Sequence, residues 1–145
     1  VQILVSLLEV PKTDGSISKG WRWHPATALW EGYEYALARY TALCCLEWRL
    51  RGFTDTLWPV PLLLVGRLTP RRAVKASDLE SVKRFAAYTH LNGSLQTRKV
   101  KPPWWGYEPL HSSHRANLLR KDPEYYGKFG WTEEPRKGYH WYFSE

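Results

Sequence analysis

The sequence predicts a mostly α-helical fold: a small single-domain helical bundle of three to four helices with long irregular loops. Apolar side chains recur at three- and four-residue steps along residues 25–50, and no stretch of useful length alternates as a strand would. The length of 145 residues fits one domain, spanning residues 1–145 with its own core. A hydrophobic content of 43% excludes a wholly disordered chain.

The first two helices are predicted from apolar periodicity and from residues that begin or end helices. Residues 2–10 are apolar on several faces and precede Pro11, which ends a helix. The longest predicted helix covers residues 25–50. Pro25 suits its first turn, and Gly52 suits the position just after its end.

The following segment is predicted to be irregular and then helical again. Two prolines interrupt residues 58–65, which indicates irregular structure. Ser77 and Glu80 fit a capping box that would begin a helix over residues 78–91.

A last helix is predicted for residues 113–121. Ser112 or Ser113 would cap it, and Asp122-Pro123 would stop it. The tail from Tyr125 onward is rich in aromatic residues and is expected to be largely irregular.

The positive charge is concentrated in one segment. The net charge is +7, and residues 66–101 contain nine Lys or Arg against two Asp or Glu, so this segment carries the whole excess. We expect it to be a basic insertion that attracts polyanions. The alternative is a solvated loop that keeps the protein soluble.

Cys44 and Cys45 are adjacent in an apolar helical stretch, and we expect both to be buried thiols in a reducing, cytoplasmic setting. No apolar run approaches the roughly 18 residues of a membrane span. The first residue is Val1 and the sequence has no Met, which suggests a fragment or a GTG start codon read literally.

Residues 112–131 combine cations suited to phosphates with aromatic rings suited to bases. A helix N-terminus here would offer N–H groups to a phosphate, and Arg115 could add a bidentate contact. The alternative is a solvated helix face. His111 and His114 could share a face, but nothing supplies a third ligand at a recognised spacing, so we predict no metal site.

A second candidate surface lies at residues 21–25, Trp-Arg-Trp-His-Pro. Arg22 and His24 could face a nucleic-acid groove, or the two tryptophans could simply pack the entry to the helix. Glu31 and Glu34 flank an aromatic stripe and are interpreted as ordinary surface carboxylates.

Two blocks of the sequence resemble the pyrimidine-dimer DNA glycosylases, the endonuclease V-like family. Residues 20–56 resemble its central helix, which follows an aromatic–Pro turn and ends in the corner Arg51-Gly52-Phe53. Residues 111–131 are similar to its carboxyl-terminal region through the stretch Tyr-Tyr-Gly-Lys at 125–128. The Gly-Trp-Arg-x-His-Pro turn and the Ser-His-Arg block are typical of the actinobacterial and phage branch.

The resemblance implies DNA base-excision repair, in which the enzyme flips a nucleotide out of the helix and attacks the sugar with its N-terminal α-amine. Placed on the family pattern, Val1 falls just after the family's catalytic glutamate. We therefore expect the catalytic N-terminal segment to be missing, and no catalytic residue is carried over. The DNA-facing positions implied by the resemblance are Arg22, His24, Arg115, Asn117, Arg120, Lys121, Tyr125, Tyr126 and Lys128.

The expected partner is double-stranded DNA, damaged or modified, bound by a monomer without a metal, a cofactor or a membrane. Two alternatives remain open at this point. The chain could be a non-catalytic nucleic-acid-binding accessory protein, or a structural or interaction module of a phage particle.

Overall fold

The computed structural model describes residues 1–17, 20–68, 79–87 and 102–142. Its regular secondary structure is helical, which confirms the mostly α-helical prediction. An isolated antiparallel bridge joins Pro11 to Ile17. The α-helices in the described residues are α1 (Gln2–Leu7), α2 (Pro25–Trp30), α3 (Glu34–Leu50), α4 (Val60–Leu68), α5 (Leu79–Ala87), α6 (Glu108–Lys121) and α7 (Pro123–Tyr126), and a 3₁₀ turn covers Gly127–Phe129.

The chain divides into two compact units, Val1–Pro102 and Pro103–Glu145. A single domain over the whole chain, with a basic insertion at residues 66–101, stays a prediction. None of the described helices combines the length and the apolar character needed to cross a membrane.

In the first unit, the predicted helix over residues 25–50 is two helices. α2 ends at Trp30 and α3 begins at Glu34. Gly32 between them adopts a φ of 77°, and its N–H donates to the Glu34 carboxylate at 2.8 Å. A left-handed residue cannot continue an α-helix, so the chain turns here although the apolar periodicity continues.

The end of α3 matches the prediction closely. Gly52 has a φ of 86° and donates its N–H to the carbonyl of Arg49 at 2.9 Å. Phe53 donates to the carbonyl of Trp48 at 3.2 Å, and the two rings stack with centroids 4.2 Å apart. This pair of hydrogen bonds with its apolar contact is a Schellman motif.

The prediction of irregular structure at residues 58–65 is wrong, because α4 begins at Val60. Pro61 falls in its first turn, where a backbone N–H has no partner within the helix and a proline costs nothing. α3, α4 and α5 contribute to one core cluster. Its buried members are Ala42, Leu62, Val82 and Ala86, with Leu46, Trp58 and Phe85 packed against them.

α5 lies within the helix predicted for residues 78–91. Ser77, which would form the capping box, and residues 88–91 lie outside the described residues. Arg39 on α3 donates to the carbonyl of Ala86 at 2.9 Å. This hydrogen bond connects α3 to the C-terminal end of α5.

The prediction of two buried thiols is wrong. Cys44 is exposed and Cys45 is half-buried, and both are free thiols. Burial and a hydrogen bond with Asp55 raise the pKa of the Cys45 thiol to about 11. The stripe of α3 that faces the core passes through Ala42 instead, which is fully buried.

In the second unit, α6 begins five residues before the predicted start at residue 113. Pro109 occupies its first turn, which suits a proline. The predicted caps, Ser112 and Ser113, therefore lie inside the helix. Ser113 is buried, and its hydroxyl donates to the carbonyl of Leu110 at 2.8 Å.

The predicted stop at Asp122-Pro123 is confirmed. Asp122 ends α6 and also caps α7, because its side chain accepts the N–H of Tyr125 at 2.9 Å. The 3₁₀ turn ends at Gly130, which has a φ of 67°. Residues 130–142 contain no regular helix or strand, as predicted for most of this tail.

Candidate nucleic-acid interface

Arg22 and His24 lie in the turn that leads into α2. The Arg22 guanidinium is 3.8 Å from the carboxylate of Glu9, a long contact between partly exposed groups. His24 is the N-cap residue of α2, and its Nδ1 accepts the N–H of Ala26 at 3.1 Å. Its ring also packs against Trp21, with centroids 4.8 Å apart. His24 therefore has a structural role in starting the helix.

Trp23 lies between these two residues and is 87% exposed, more than any other large apolar side chain in the described part of the chain. The sequence alternative, in which both tryptophans pack the helix entry, therefore fails for Trp23. Burial of an indole in water-free surroundings is strongly favourable, so an indole left in solvent is available to a partner.

A shallow groove of about 340 Å³ runs along α3 between Leu43, Cys44, Glu47, Trp48 and Arg51. Arg51 closes one side with a hydrogen bond from its Nε to Glu47 at 2.8 Å. The two charges neutralise each other, and the remaining wall is mostly apolar. No sequence motif predicted this groove.

In the second unit, Arg115 is held by two carboxylates. Its guanidinium donates to Glu108, and it forms an ion pair with Glu133 at 2.5 Å. Hydrogen bonds to Glu108 and Glu133 raise the pKa of Arg115 above its usual value. Burial acts to raise the pKa of Glu133, but hydrogen bonds, with Arg115 as the main donor, hold it below the usual value. A guanidinium paired in this way is not available for a bidentate phosphate contact.

Asn117 is also engaged within the protein. It is buried on α6, and its Oδ1 accepts two hydrogen bonds from Arg120, at 3.2 and 3.1 Å. Arg120 is exposed, and the amide oxygen fixes the orientation of its guanidinium. Lys121, in the last turn of α6, lies with its Nζ 3.5 Å from the hydroxyl of Tyr139.

The aromatic residues after α6 form a contiguous cluster. The rings of Tyr126 and Trp131 stack at 5.9 Å with an interplanar angle of 12°, and Phe129 stacks on Trp131 at 5.2 Å. Tyr125 is 53% exposed and Phe129 is 55% exposed. The Lys128 ammonium lies 5.8 Å from the centroid of the Tyr125 ring, a cation–π contact.

Residues 2–57 match the family model of pyrimidine dimer DNA glycosylase. The match confirms the family resemblance seen in residues 20–56. No curated protein matches the chain, and no solved structure matches it. The pyrimidine dimer DNA glycosylase match contains Arg22, Trp23 and His24, whereas the candidate residues on α6 and in the aromatic cluster lie beyond it.

The structure thus distinguishes two groups among the predicted DNA-facing residues. In the first group, the Arg115 guanidinium, the Nδ1 of His24 and the Oδ1 of Asn117 have partners within the protein. Arg120, Lys121 and Lys128 form no ion pair with a carboxylate of the described residues, and Tyr125 exposes about half its surface. DNA binding by any of these residues stays a prediction.

The histidines of the second unit also have structural partners. His111 accepts the N–H of Gly106 on its Nε2 at 3.2 Å, and Nδ1 of His114 lies 2.8 Å from the carbonyl of Leu110. Within residues 1–17, 20–68, 79–87 and 102–142, no three His, Cys, Asp or Glu side chains come together in a group that could bind a metal.

The charge prediction for residues 66–101 falls mostly outside the described residues. Within α5, Lys83 pairs with Glu80 at 2.6 Å and Arg84 donates to the Ser81 hydroxyl at 3.1 Å. Both contacts are local pairs on the surface of α5. They are compatible with a basic insertion and also with the alternative, a solvated segment that keeps the protein soluble.

Trp23 is the residue of this region that sequence reasoning missed. Its signal was its position between Arg22 and His24 in a turn, where no apolar periodicity assigns an indole to the core. Apolar periodicity identifies the buried face only of a helix or a strand, so it does not predict whether a tryptophan in a turn is buried.

Proposed function

We propose that this protein binds double-stranded DNA in base-excision repair, as a relative of the pyrimidine dimer DNA glycosylases that recognises damaged or modified duplex. The observation that carries the proposal is the family match over residues 2–57. The proposal includes the monomeric, cytoplasmic state that the sequence favours.

The described geometry supports this function in the first unit through the turn before α2. Arg22 supplies a cation whose ion pair with Glu9 is long and solvent-accessible, so a phosphate could replace the carboxylate at small cost. Trp23 supplies an exposed aromatic face within the same turn. Cation and ring together suit a nucleotide, because one contacts the phosphate and the other the base.

The second unit supports the proposal through the cluster after α6. Lys121 and Lys128 are exposed cations without a carboxylate partner in the described residues, and Tyr125 lies beside Lys128. We include Arg120, Lys121, Tyr125, Tyr126 and Lys128 in the proposed interface. Arg115 and Asn117 contribute to the interface indirectly, because they orient neighbouring groups within the unit.

The test is the binding of two duplexes that differ in one lesion. A fluorescently labelled duplex with a central thymine dimer and the same duplex without it are titrated with the protein at one fixed salt concentration. A damaged base is cheaper to unstack by up to a few kcal/mol, so we expect about tenfold tighter binding of the damaged duplex. Absence of binding to either duplex would contradict the proposal.

A second candidate function is that of a nucleic-acid-binding accessory protein without lesion recognition. The charge of residues 66–101 favours it, since nine cations against two acids attract any polyanion. The same titration, repeated at several salt concentrations, separates the two functions. Equal affinity for both duplexes, falling steeply with salt, would support the accessory protein, and replacement of the Lys and Arg residues of segment 66–101 by glutamine would then abolish most binding.

A further inference from the structure

The carboxyl-terminal tail of the second unit is fastened along α6 although it has no regular secondary structure. We name residues 133–142 the strap. Near its start, Glu133 pairs with Arg115 at 2.5 Å, and the N–H of Arg136 then donates to the carbonyl of Ala116 at 3.3 Å. Near its end, the N–H of His140 donates to the hydroxyl of Ser113 at 2.8 Å.

Three consecutive residues of α6 supply most of these fastenings. Ser113 accepts a backbone N–H from the strap, and Arg115 binds its carboxylate. Between them, His114 packs against Tyr139 and Trp141, with ring centroids 4.6 and 5.3 Å away. We call residues 113–115 the clasp. Because each side chain of the clasp contacts the strap, the Ser-His-Arg block holds the tail in place.

The polar groups of the clasp are well satisfied. The buried Ser113 hydroxyl donates to the carbonyl of Leu110 and accepts from His140, so it uses both its donor and an acceptor position. The His140 side chain lies 3.2 Å from the hydroxyl of Tyr107, ahead of α6. Contacts at both ends of the strap therefore fix the path of the backbone between them.

That path displays two cations, Arg136 and Lys137. Both are exposed, and neither forms an ion pair with a carboxylate of the described residues. Of the two strap carboxylates, Glu133 is occupied by Arg115 and Glu134 is exposed. The strap also contacts a third cation, because the Tyr139 hydroxyl lies 3.5 Å from Lys121.

We infer that the strap is a phosphate-contact surface for duplex DNA, formed by Arg136, Lys137 and Lys121 and positioned by the clasp. Exposed cations on a fixed backbone suit a regular array of phosphates, because folding has already ordered the backbone and DNA binding therefore loses less conformational entropy. The inference rests on the proposed function and extends it to Arg136 and Lys137, which neither the family match nor the sequence motifs include.

The first experiment measures how salt weakens binding to an undamaged duplex. Wild type is compared with the double variant Arg136→Gln/Lys137→Gln and with Lys12→Gln, an exposed cation of the first unit that belongs to neither interface. Each lost phosphate contact lowers the slope of log K against log salt by about 0.9. We expect the double variant to lose about 1.8 from the slope, and Lys12→Gln to keep the wild-type slope.

The outcomes separate this inference from the proposed function. If wild type binds and the double variant keeps its slope, the strap is not a phosphate surface and the proposed function stands. If wild type binds no duplex, both are overturned.

The second experiment tests the clasp. Ser113→Ala removes the acceptor for the His140 amide, and His114→Ala removes the ring packing while leaving Ser113 in place. We expect faster hydrogen exchange at the His140 amide in both variants, together with the lower salt slope of the double variant. Retained helical circular dichroism checks that α6 is intact.

Two results would overturn the role of the clasp. One is unchanged exchange at His140 in both variants. The other is fast exchange, which shows a released strap, accompanied by the wild-type salt slope.

Discussion

Replacement of Trp23 by alanine should weaken DNA binding without destabilising the protein. The side chain is 87% exposed, so folding buries only about an eighth of it. A tryptophan presents roughly 250 Å², which leaves about 30 Å² of buried surface and, at about 25 cal/mol per Å², less than about 1 kcal/mol of stability. Stacking of a base on an aromatic ring contributes about 1–3 kcal/mol, which corresponds to about 5- to 150-fold in Kd.

The matched control is Leu50→Ala. Leu50 is 82% exposed, lies in the same unit, and belongs to no proposed interface. Both variants should unfold within about 0.5 kcal/mol of each other in urea, as expected for exposed positions. Fluorescence anisotropy with the dimer-containing duplex then measures binding, and only Trp23→Ala should weaken it.

The result that would refute this reasoning is equal binding by Trp23→Ala, Leu50→Ala and wild type. The exposed indole would then be an ordinary surface side chain. A different failure is a large loss of stability in Trp23→Ala, which would show that the indole is buried in solution.

Three further predictions concern backbone, charge and thiol chemistry. Gly52→Ala should lower the free energy of unfolding in urea by about 1–2 kcal/mol, because the φ of 86° is strained for an L side chain. The control is Gly20→Ala, which should stay near wild type because Gly20 has no positive φ and open space around the new Cβ. Equal stability of both variants would contradict backbone strain as the cause. The lowered pKa of Glu133 means that its contribution to fastening the strap is complete above the ordinary glutamate pKa of about 4.3 and is lost as the pH falls below it. The protection factors of the strap amides, which correct for the slower intrinsic exchange in acid, should therefore fall at low pH, and a Glu133→Gln variant should lack this component of the pH dependence. Since the pKa of Cys45 is raised to about 11, an alkylating reagent at pH 8 should modify the exposed Cys44 first, and peptide mass spectrometry showing equal rates would contradict this order.

Local sequence signals predicted the helices well where they act within a few residues. Gly52 ends α3 through a motif that needs only a left-handed residue and the apolar pair around it. Gly32 carries the same kind of signal, but the continuous apolar stripe outweighed it, and the break between α2 and α3 was missed. Pro61 shows the opposite error, because a proline in a first turn is compatible with a helix and was interpreted as a breaker.

The candidate site was harder to predict, because the availability of a charged side chain depends on partners that are distant in sequence. In the sequence, Arg115 and Lys128 are both cations of the segment 112–131, which combines cations with aromatic rings. Glu133 lies 18 residues after Arg115 and pairs with it, whereas Lys128 faces a tyrosine ring. Periodicity and capping rules give no information on such a pairing.

The Ser-His-Arg block shows how this limitation affects functional interpretation. Residue types alone suggest a phosphate site, because a hydroxyl, an imidazole and a guanidinium are all phosphate ligands. In the structure, the same three groups bind a backbone N–H, two aromatic rings and a carboxylate of the strap. These three residue types can therefore serve folding, while we expect the DNA contacts to lie on the strap that they position. In this protein, we therefore expect the cationic DNA contacts at Arg136 and Lys137, which the clasp presents to solvent, and not at Arg115.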